Sequence, residues 1–401
     1  MSSLLNFIDY RARARQRLPK ALFEYIDRGS EDEQALLRIR SSLDQITLTP
    51  SLLNGVDQPE LRTPLLGQAL AMPLVIAPTA LAGLVSFQGE IQLARTARDL
   101  GIPFCVSTQS VTTVEEIRKQ VPDANLWFQL YVWKDRNLTR QLLERVQAAG
   151  VDTLVITADT PISPKREYNV RNGFSIPLKP SLALLLDVLG HPSWLVSVWL
   201  RQWLASGMPS YGHYPAQFRG AVTQQTVHEA VRLENRLTWN DIRQIRSGWH
   251  GRLVIKGVLS PQDALLARDE GADAIVVSAH GGRNLDIAPA PIQVLPAIAE
   301  AVGGDLQIIA DSGVTRGSDV LKYLALGADA VMVGRLPLWG LAAAGQQGAT
   351  DSLRMLRNEM ELAMTLLGAH SVRDCRKANV LGRQSALFVK PSPGAYPEIT
   401  A

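Results

Sequence analysis

Cysteine is scarce in this chain of 401 residues: there are two, Cys105 and Cys375, and neither stands in a Cys-x-x-Cys or Cys/His spacing. That argues against a disulfide framework and a structural zinc site, leaves no metal site to expect, and makes a reducing, cytoplasmic setting the simpler expectation. Long hydrophobic runs are missing as well. No stretch reaches the ~20 apolar residues that cross a bilayer, and the N-terminal MSSLLNFIDYRARARQR lacks the charged-then-apolar order of a secretion signal. There is also little surplus of one charge. The 41 Lys and Arg face 38 Asp and Glu, for a formal net charge of +3, so no nucleic-acid partner is expected. Arg11, Arg13, Arg15 and Arg17, at alternate positions, read as a solvated helix face. With 46% hydrophobic and 20% charged residues, what remains is a core-forming globular protein.

Eight short apolar runs, each ended by glycine, proline or polar residues, read as buried strands. They are Leu74–Ala77, Phe104–Val106, Leu126–Leu130, Thr153–Thr157, Leu253–Lys256, Ala274–Val277, Gln307–Ala310 and Ala330–Val333. Helical patterns separate most of them: Gly89–Leu100, Thr113–Gln120, Asn137–Ala149, Pro261–Glu270 and Gly317–Leu326. Several end at a glycine placed to close the last turn, namely Gly101, Gly150, Gly271 and Gly327. Successive strand starts are 21 to 33 residues apart, except for one gap of 100 between Thr153 and Leu253. The spacing predicts an α/β fold, a TIM (β/α)8 barrel interrupted after its fourth strand, within one domain covering 1–401. The barrel is expected over about 72–345 and the insertion over about 177–250. Helical extensions flank the barrel.

Such barrels build their active sites at the C-terminal strand ends, and here polar residues stand at every exit. The densest cluster is Ser278-Ala-His-Gly-Gly-Arg283. His280 is a base suited to neutral pH, and Arg283 is a planar fork matched to a carboxylate; Gly281 and Gly282 would let backbone approach a ligand. Asp159, beyond the fourth strand, would orient His280 and stabilise its imidazolium, with a helix N-cap as the bland alternative. Arg166 reads as a second carboxylate-binding guanidinium or a surface charge. After strands seven and eight, Asp311-Ser-Gly313 and Gly334-Arg335 suit a phosphate site. Lys256 ends a buried strand and needs an anionic partner. It suits a reduced flavin anion; a Schiff-base lysine, as in an aldolase, is the alternative.

These residues make the chain similar to the FMN-dependent L-2-hydroxy-acid dehydrogenases and oxidases, the family of L-lactate dehydrogenase, mandelate dehydrogenase and glycolate oxidase. The resemblance runs from about Phe7 to about Gly368. It is carried by Leu18-Pro-Lys20, Glu24-Tyr25, Gly29-Ser-Glu-Asp32, Ala77-Pro-Thr-Ala80, Trp127-Phe-Gln-Leu-Tyr131, Ala158-Asp-Thr-Pro161, Ile255-Lys-Gly257, His280-Gly-Gly-Arg283 and Leu285-Asp286. It implies FMN as cofactor and oxidation of a small 2-hydroxy acid to the 2-oxo acid. His280 would be the base with Asp159 behind it, and Arg283 and Arg166 would bind the carboxylate. Tyr25 and Tyr131 would line the substrate pocket. Lys256 would meet the N1/O2 edge of the flavin, and Ser107, Gln129 and Thr157 its ring. Ala77, Pro78, Thr79 and Ala80 would lie nearby, and Ser278 would also contact the cofactor. Asp311, Gly313, Gly334 and Arg335 would hold the ribityl chain and phosphate. Three positions depart from the family pattern: Ala279 for asparagine, Asn284 for glutamine, and Thr315 for an arginine near the phosphate. An oxidase reducing O2 to H2O2, and a flavin-binding homologue without turnover, are the alternative readings.

The interruption is chemically unlike the barrel, holding five of the eight tryptophans between residues 194 and 249. Read as a helix, Trp194–Leu204 sets Ser197 and Arg201 opposite Trp199, Leu200, Trp203 and Leu204, a pattern that favours a membrane interface. The resemblance to membrane-associated members implies peripheral attachment through 182–206 on the cytoplasmic face of the inner membrane, a quinone acceptor, and a homotetramer.

Overall fold

The computed structural model describes residues 4–173, 182–220, 228–376 and 380–382. Its centre is eight parallel strands: β1 Leu74–Ile76, β2 Phe104–Ser107, β3 Leu126–Leu130, β4 Thr153–Thr157, β5 Arg252–Val258, β6 Ala274–Val277, β7 Gln307–Ala310 and β8 Ala330–Val333. They pair in chain order, and β8 closes onto β1. The expected barrel is present, with strand edges shifted by two residues at most. Continuous apolar runs were the usable signal because these strands bury both faces. The four glycines expected to end helices all have positive φ, from 63° at Gly101 to 115° at Gly327.

Two helices were less legible. Pro291–Val302, between β6 and β7, starts on a proline and carries Pro296 inside, which hides its period. Arg335–Leu367 joins the last barrel helix to the C-terminal extension, with non-helical backbone at Ala344 and Gly345 marking the kink between them.

The interior is layered. Val75, Cys105, Trp127, Val155, Val254, Val276, Ile309 and Met332, one per strand, form a dry cluster inside the barrel. The hairpin of Thr63–Leu65 and Gln68–Leu70 adds Leu65, Leu66 and Leu70 to the same cluster. Side chains alternate along a strand, so the next inward layer, two residues on, is Ala77, Ser107, Gln129, Thr157, Lys256, Ser278, Asp311 and Gly334. The fold thereby turns an apolar core into a polar floor within one step of the strand period.

Three helices precede the barrel: α1 Phe7–Arg17, α2 Lys20–Asp27 and α3 Gln34–Gln45. The cationic face of α1 is only partly solvated: Arg11 pairs with Asp27, Nε to Oδ1 at 2.6 Å, and Arg17 donates to the Ala343 carbonyl at 3.2 Å. Helix α3 lies against the loops after β6 and β7. Asp286 accepts from the Ala35 N–H at 2.8 Å, supplying the cap that the α3 N-terminus needs. A Cβ on Gly282 would sit 2.7 Å from the Leu36 backbone, and one on Gly313 would sit 2.4 Å from Ile39 Cγ2. Both glycines therefore make room for α3, rather than for a ligand as the sequence suggested for Gly282.

After β4 the chain forms Leu182–Leu189 and then a helix through 192–206 whose middle turn, Leu195–Leu200, is π-helical. Its buried line is Trp194, Val198 and Gln202. The Trp194 indole donates to the Leu84 carbonyl at 2.7 Å, so this tryptophan is an anchor, not part of an exposed aromatic face. Leu200, Trp203 and Leu204 do face outward, at 41%, 52% and 71% exposure. Asp187 accepts from the Lys20 and Ala21 N–H groups at 3.0 and 3.2 Å, capping α2. Further on, buried His213 accepts from the Val114 N–H at 2.9 Å, and burial lowers its pKa to about 4. The helix Trp239–Gly248 then leads into β5. Among the described residues no helix is long and apolar enough to cross a membrane.

Gly282→Ala tests the seating of α3. Both the positive φ of 74° and the clash with Leu36 oppose it, so a loss of about 1–3 kcal/mol is expected, read as a lower midpoint in thermal unfolding. An unchanged midpoint would contradict the packing described.

Candidate active site

Seven residues of the polar floor (Ala77, Ser107, Gln129, Thr157, Lys256, Asp311 and Gly334) line a cavity of about 490 Å³ at the barrel mouth. This volume is in the range of ligand and cofactor pockets. A hydrogen-bonded belt fixes the floor. Ser107 Oγ donates to Gln129 Oε1 at 3.1 Å, and Gln129 Nε2 to Thr157 Oγ1 at 3.0 Å. Ser278 is fully buried behind Lys256 and does not reach the cavity wall. Its Oγ accepts from Lys256 Nζ at 2.7 Å and from the His280 N–H at 3.0 Å. Lys256 Nζ also meets Asp311 Oδ2 at 2.9 Å. Burial alone would lower the lysine pKa, but Asp311 and Asp159 together raise it above its ordinary value. The lysine is therefore a fixed cation, which disfavours the Schiff-base alternative because that chemistry needs a neutral amine.

His280 stands above this floor with a positive φ of 53°, a conformation costly for a residue with a side chain. Its Nδ1 lies 2.9 Å from Asp159 Oδ1. Burial opposes charge on Asp159, yet His280 and Lys256 outweigh it and hold the carboxyl pKa near 2. Burial lowers the His280 pKa below its usual value, with Asp159 working against that. At neutral pH the pair is thus an ionised carboxylate and a neutral imidazole. The carboxylate only accepts, so Nδ1 carries the proton and Nε2 keeps its lone pair.

Gly257 makes this possible. Its φ is 109°, and a Cβ there would fall 2.5 Å from Asp159 Cβ. Asn284 steadies the same turn, donating from Nδ2 to the Asp159 carbonyl at 2.9 Å and to Thr160 Oγ1 at 2.8 Å.

Three guanidiniums line the other wall. Arg283 Nη1 donates to the carbonyls of Tyr25, Ile26 and Arg28 at 2.6, 3.2 and 3.0 Å. Arg335 donates to Ile26 O at 3.0 Å and Gly281 O at 2.9 Å. Arg166 donates through Nε and Nη2 to Arg283 O, both at 3.2 Å. The end of α2, where carbonyls lack helical partners, is what Arg283 and Arg335 hold. Among the described residues no carboxylate pairs with any of the three. Burial first, then Arg166, lowers the Arg283 pKa to about 9, and burial likewise lowers that of Arg335. This is the mark of a buried cation awaiting an anion. Tyr25 lies 5.2 Å under the Arg283 guanidinium. The Tyr131 phenol is raised to about 12 by burial and Asp159, so it stays a hydrogen-bond donor.

The remaining expected residues line the same cavity: Pro78, Thr79, Ala80 and Gly313. Thr79 Oγ1 is buried without a partner, and the helix that starts at Arg335 has no side-chain cap. An orphaned hydroxyl and an uncapped helix N-terminus fit a polar ring system ending in phosphate. Arg40 was not anticipated. It reaches the cavity from α3, donating to Gly313 O at 2.9 Å, Thr315 Oγ1 at 3.1 Å and Asp319 Oδ2 at 2.8 Å, so a guanidinium does stand at Thr315. Tyr211, from the interruption, was also missed; burial and the nearby Tyr25, Tyr214 and Tyr131 phenols raise its pKa. No local spacing signals either residue.

Asp159→Asn removes the charge that favours the imidazolium. The His280 pKa is then expected to fall further, by about 1 unit or more, in an NMR titration of labelled histidine. An unmoved titration would show that the carboxylate does not govern this imidazole.

Comparison with known proteins places the chain in a family. Residues 14–381 match the family described as FMN-dependent dehydrogenase. An L-lactate dehydrogenase of Pectobacterium atrosepticum is 44% identical over 371 residues, 91% of this chain and 94% of that protein. One from Yersinia pestis is 41% identical over 372 residues, 92% and 96% of the two chains. Among solved structures, the monotopic membrane protein (S)-mandelate dehydrogenase matches with a TM-score of 0.86 at 34% identity, covering 93% of this chain and 98% of that one. A mandelate oxidase with (S)-2-phenylpropionate matches at 0.80 and 32% identity, covering 95% and 99%. This chain belongs to the FMN-dependent dehydrogenase family.

Proposed function

We propose that the chain oxidises an L-2-hydroxy acid of the lactate or mandelate type to the 2-oxo acid. The observation that carries this is the set of three partly buried guanidiniums, without a carboxylate partner among the described residues, beside a neutral, carboxylate-backed imidazole. An anion bound by Arg283 and Arg166 relieves the cost of burying unpaired positive charge, and their fork geometry suits a carboxylate. The substrate hydroxyl and α-carbon then fall within reach of His280 and the two phenols, Tyr25 and Tyr131.

The residues that would hold FMN are Ala77 to Ala80, Ser107, Gln129, Thr157, Lys256, Asp311, Gly313, Gly334 and Arg335, with Ser278 supporting Lys256. Bound there, FMN supplies the two-electron acceptor that no side chain of the protein can provide. Lys256 places a fixed positive charge against the acceptor's site. His280 Nε2 takes the substrate proton, and Asp159 stabilises the imidazolium that results, as in other histidine bases. Arg283 and Arg166 fix the acid so that this transfer occurs within one complex. Arg40, across from Thr315, places a guanidinium at the end of the cavity where the phosphate would lie, held there by ion pairs to Asp319 and Asp44.

The exposed leucines and Trp203 of 182–206 support attachment to a membrane surface and delivery of electrons to a membrane quinone. The structural likeness to a monotopic membrane protein supports the same reading.

The experiment is anaerobic bleaching of the bound flavin by L-2-hydroxy acids. Wild-type protein is expected to bleach, and His280→Ala to bleach about 10²–10⁴-fold more slowly with FMN still bound. Because the His280 pKa is depressed, the wild-type rate is expected to rise from acid pH and level off before pH 7. Near-normal bleaching by His280→Ala would overturn the assignment. In turnover, quinone-analogue reduction far above peroxide yield supports the acceptor reading, and the reverse contradicts it.

A further inference from the structure

A second cavity, of about 410 Å³, lies outside the barrel mouth and is lined by Arg17, Phe87, Arg95, Trp194, Arg201 and Gly345 among others. Its three arginines come from three separate helices: α1, Gly89–Leu100 and the helix through 192–206. Arg17 donates to the Ala343 carbonyl at 3.2 Å, Arg95 Nη2 to Gln120 Oε1 at 3.4 Å, and the Arg201 guanidinium sits 4.6 Å over the Phe87 ring. Among the described residues none of the three pairs with a carboxylate. Three cations around one cavity without a paired carboxylate give it a positive potential that favours an anion.

The surroundings narrow the anion. The helix that supplies Arg201 and Trp194 to the cavity presents Leu200, Trp203 and Leu204 to solvent, and the preceding helix exposes Leu182, Leu185, Leu186 and Leu189 at 54–72%. One helix thus carries the Arg201 guanidinium at the cavity and, within one turn of it, Leu200 and Leu204 in solvent, which fits a molecule that is anionic at one end and apolar at the other. We propose that this cavity binds the phosphate headgroup of an anionic phospholipid, whose acyl chains lie against the exposed leucines. The inference rests on the membrane attachment read above and adds to it a defined headgroup site. The cavity shares no lining residue with the catalytic mouth, so charge can be removed here without touching the chemistry.

Flotation of the full-length, FMN-loaded protein with phosphatidylcholine vesicles, with and without phosphatidylglycerol, tests it. The wild type is expected to prefer phosphatidylglycerol vesicles. Arg95→Gln/Arg201→Gln is expected to lose about tenfold or more of that preference, with unchanged flavin content reporting an intact fold. Arg201→Gln alone, at an exposed position, is expected to lose part of it. Arg354→Gln/Arg357→Gln, which removes two guanidiniums that do not line the cavity, is expected to keep it. Equal losses in the two double variants would mean diffuse charge and overturn the site. Flotation without any headgroup preference would overturn it while leaving membrane attachment standing. No flotation with either vesicle would remove both. Thermal stabilisation of the wild type, but not of the Arg95/Arg201 variant, by inorganic phosphate without a vesicle preference would assign the cavity to a free anion and overturn the lipid.

Discussion

Three guanidiniums at the barrel mouth that make no ion pair among the described residues are the constraint around which the structure is organised. Arg283, Arg166 and Arg335 converge on one wall, and the polar groups they use are carbonyls: those of Tyr25, Ile26 and Arg28, Gly281 and Arg283 itself. Carbonyl dipoles keep the guanidiniums oriented but do not cancel their charge. That leaves a standing electrostatic preference for an anion, set within reach of a base kept neutral by burial and held in one tautomer by Asp159. The N-terminal helices are part of this arrangement, because the α2 carboxy end supplies most of the carbonyls and α3 seats the loops that carry His280 and Asp311.

The two-residue period of the strands explains why the floor of the site forms without special loops. Each strand that places an apolar side chain in the dry interior must place its next inward residue in the layer above. In this chain seven of those eight residues line the cavity and the eighth, Ser278, braces Lys256. The backbone pays for this arrangement at a few places, chiefly His280 and Gly257, where positive φ lets the imidazole and Asp159 approach.

Much of this was legible in the sequence. Apolar runs gave the strands, the glycines after helices gave the breaks, and polar residues at strand exits gave His280, Asp159, Lys256 and Arg283. These are local signals on rigid elements. The contacts of α3 were not legible, since nothing in the spacing of Gly282, Gly313 or Arg40 shows which distant helix crosses them. For the same reason Arg40 stayed hidden, although its guanidinium stands beside Thr315. The interruption differs in one respect: Trp199, expected to face outward with Leu200, Trp203 and Leu204, is half-buried against the core, beside Trp194, whose indole N–H is buried against the Leu84 carbonyl. Tryptophan content signals either burial or an interface, and only the partner of the N–H separates the two.

Charge recognition at the mouth is the central requirement of this site. The most direct measurement compares the anaerobic rate of flavin reduction by an L-2-hydroxy acid with that by its neutral amide, which keeps the hydroxyl, the α-hydrogen and nearly the same shape. The acid is expected to reduce the flavin at low concentration while the amide is poorer by about two orders of magnitude or more, the cost of leaving the guanidinium charge unpaired. Equal rates from the two would contradict it.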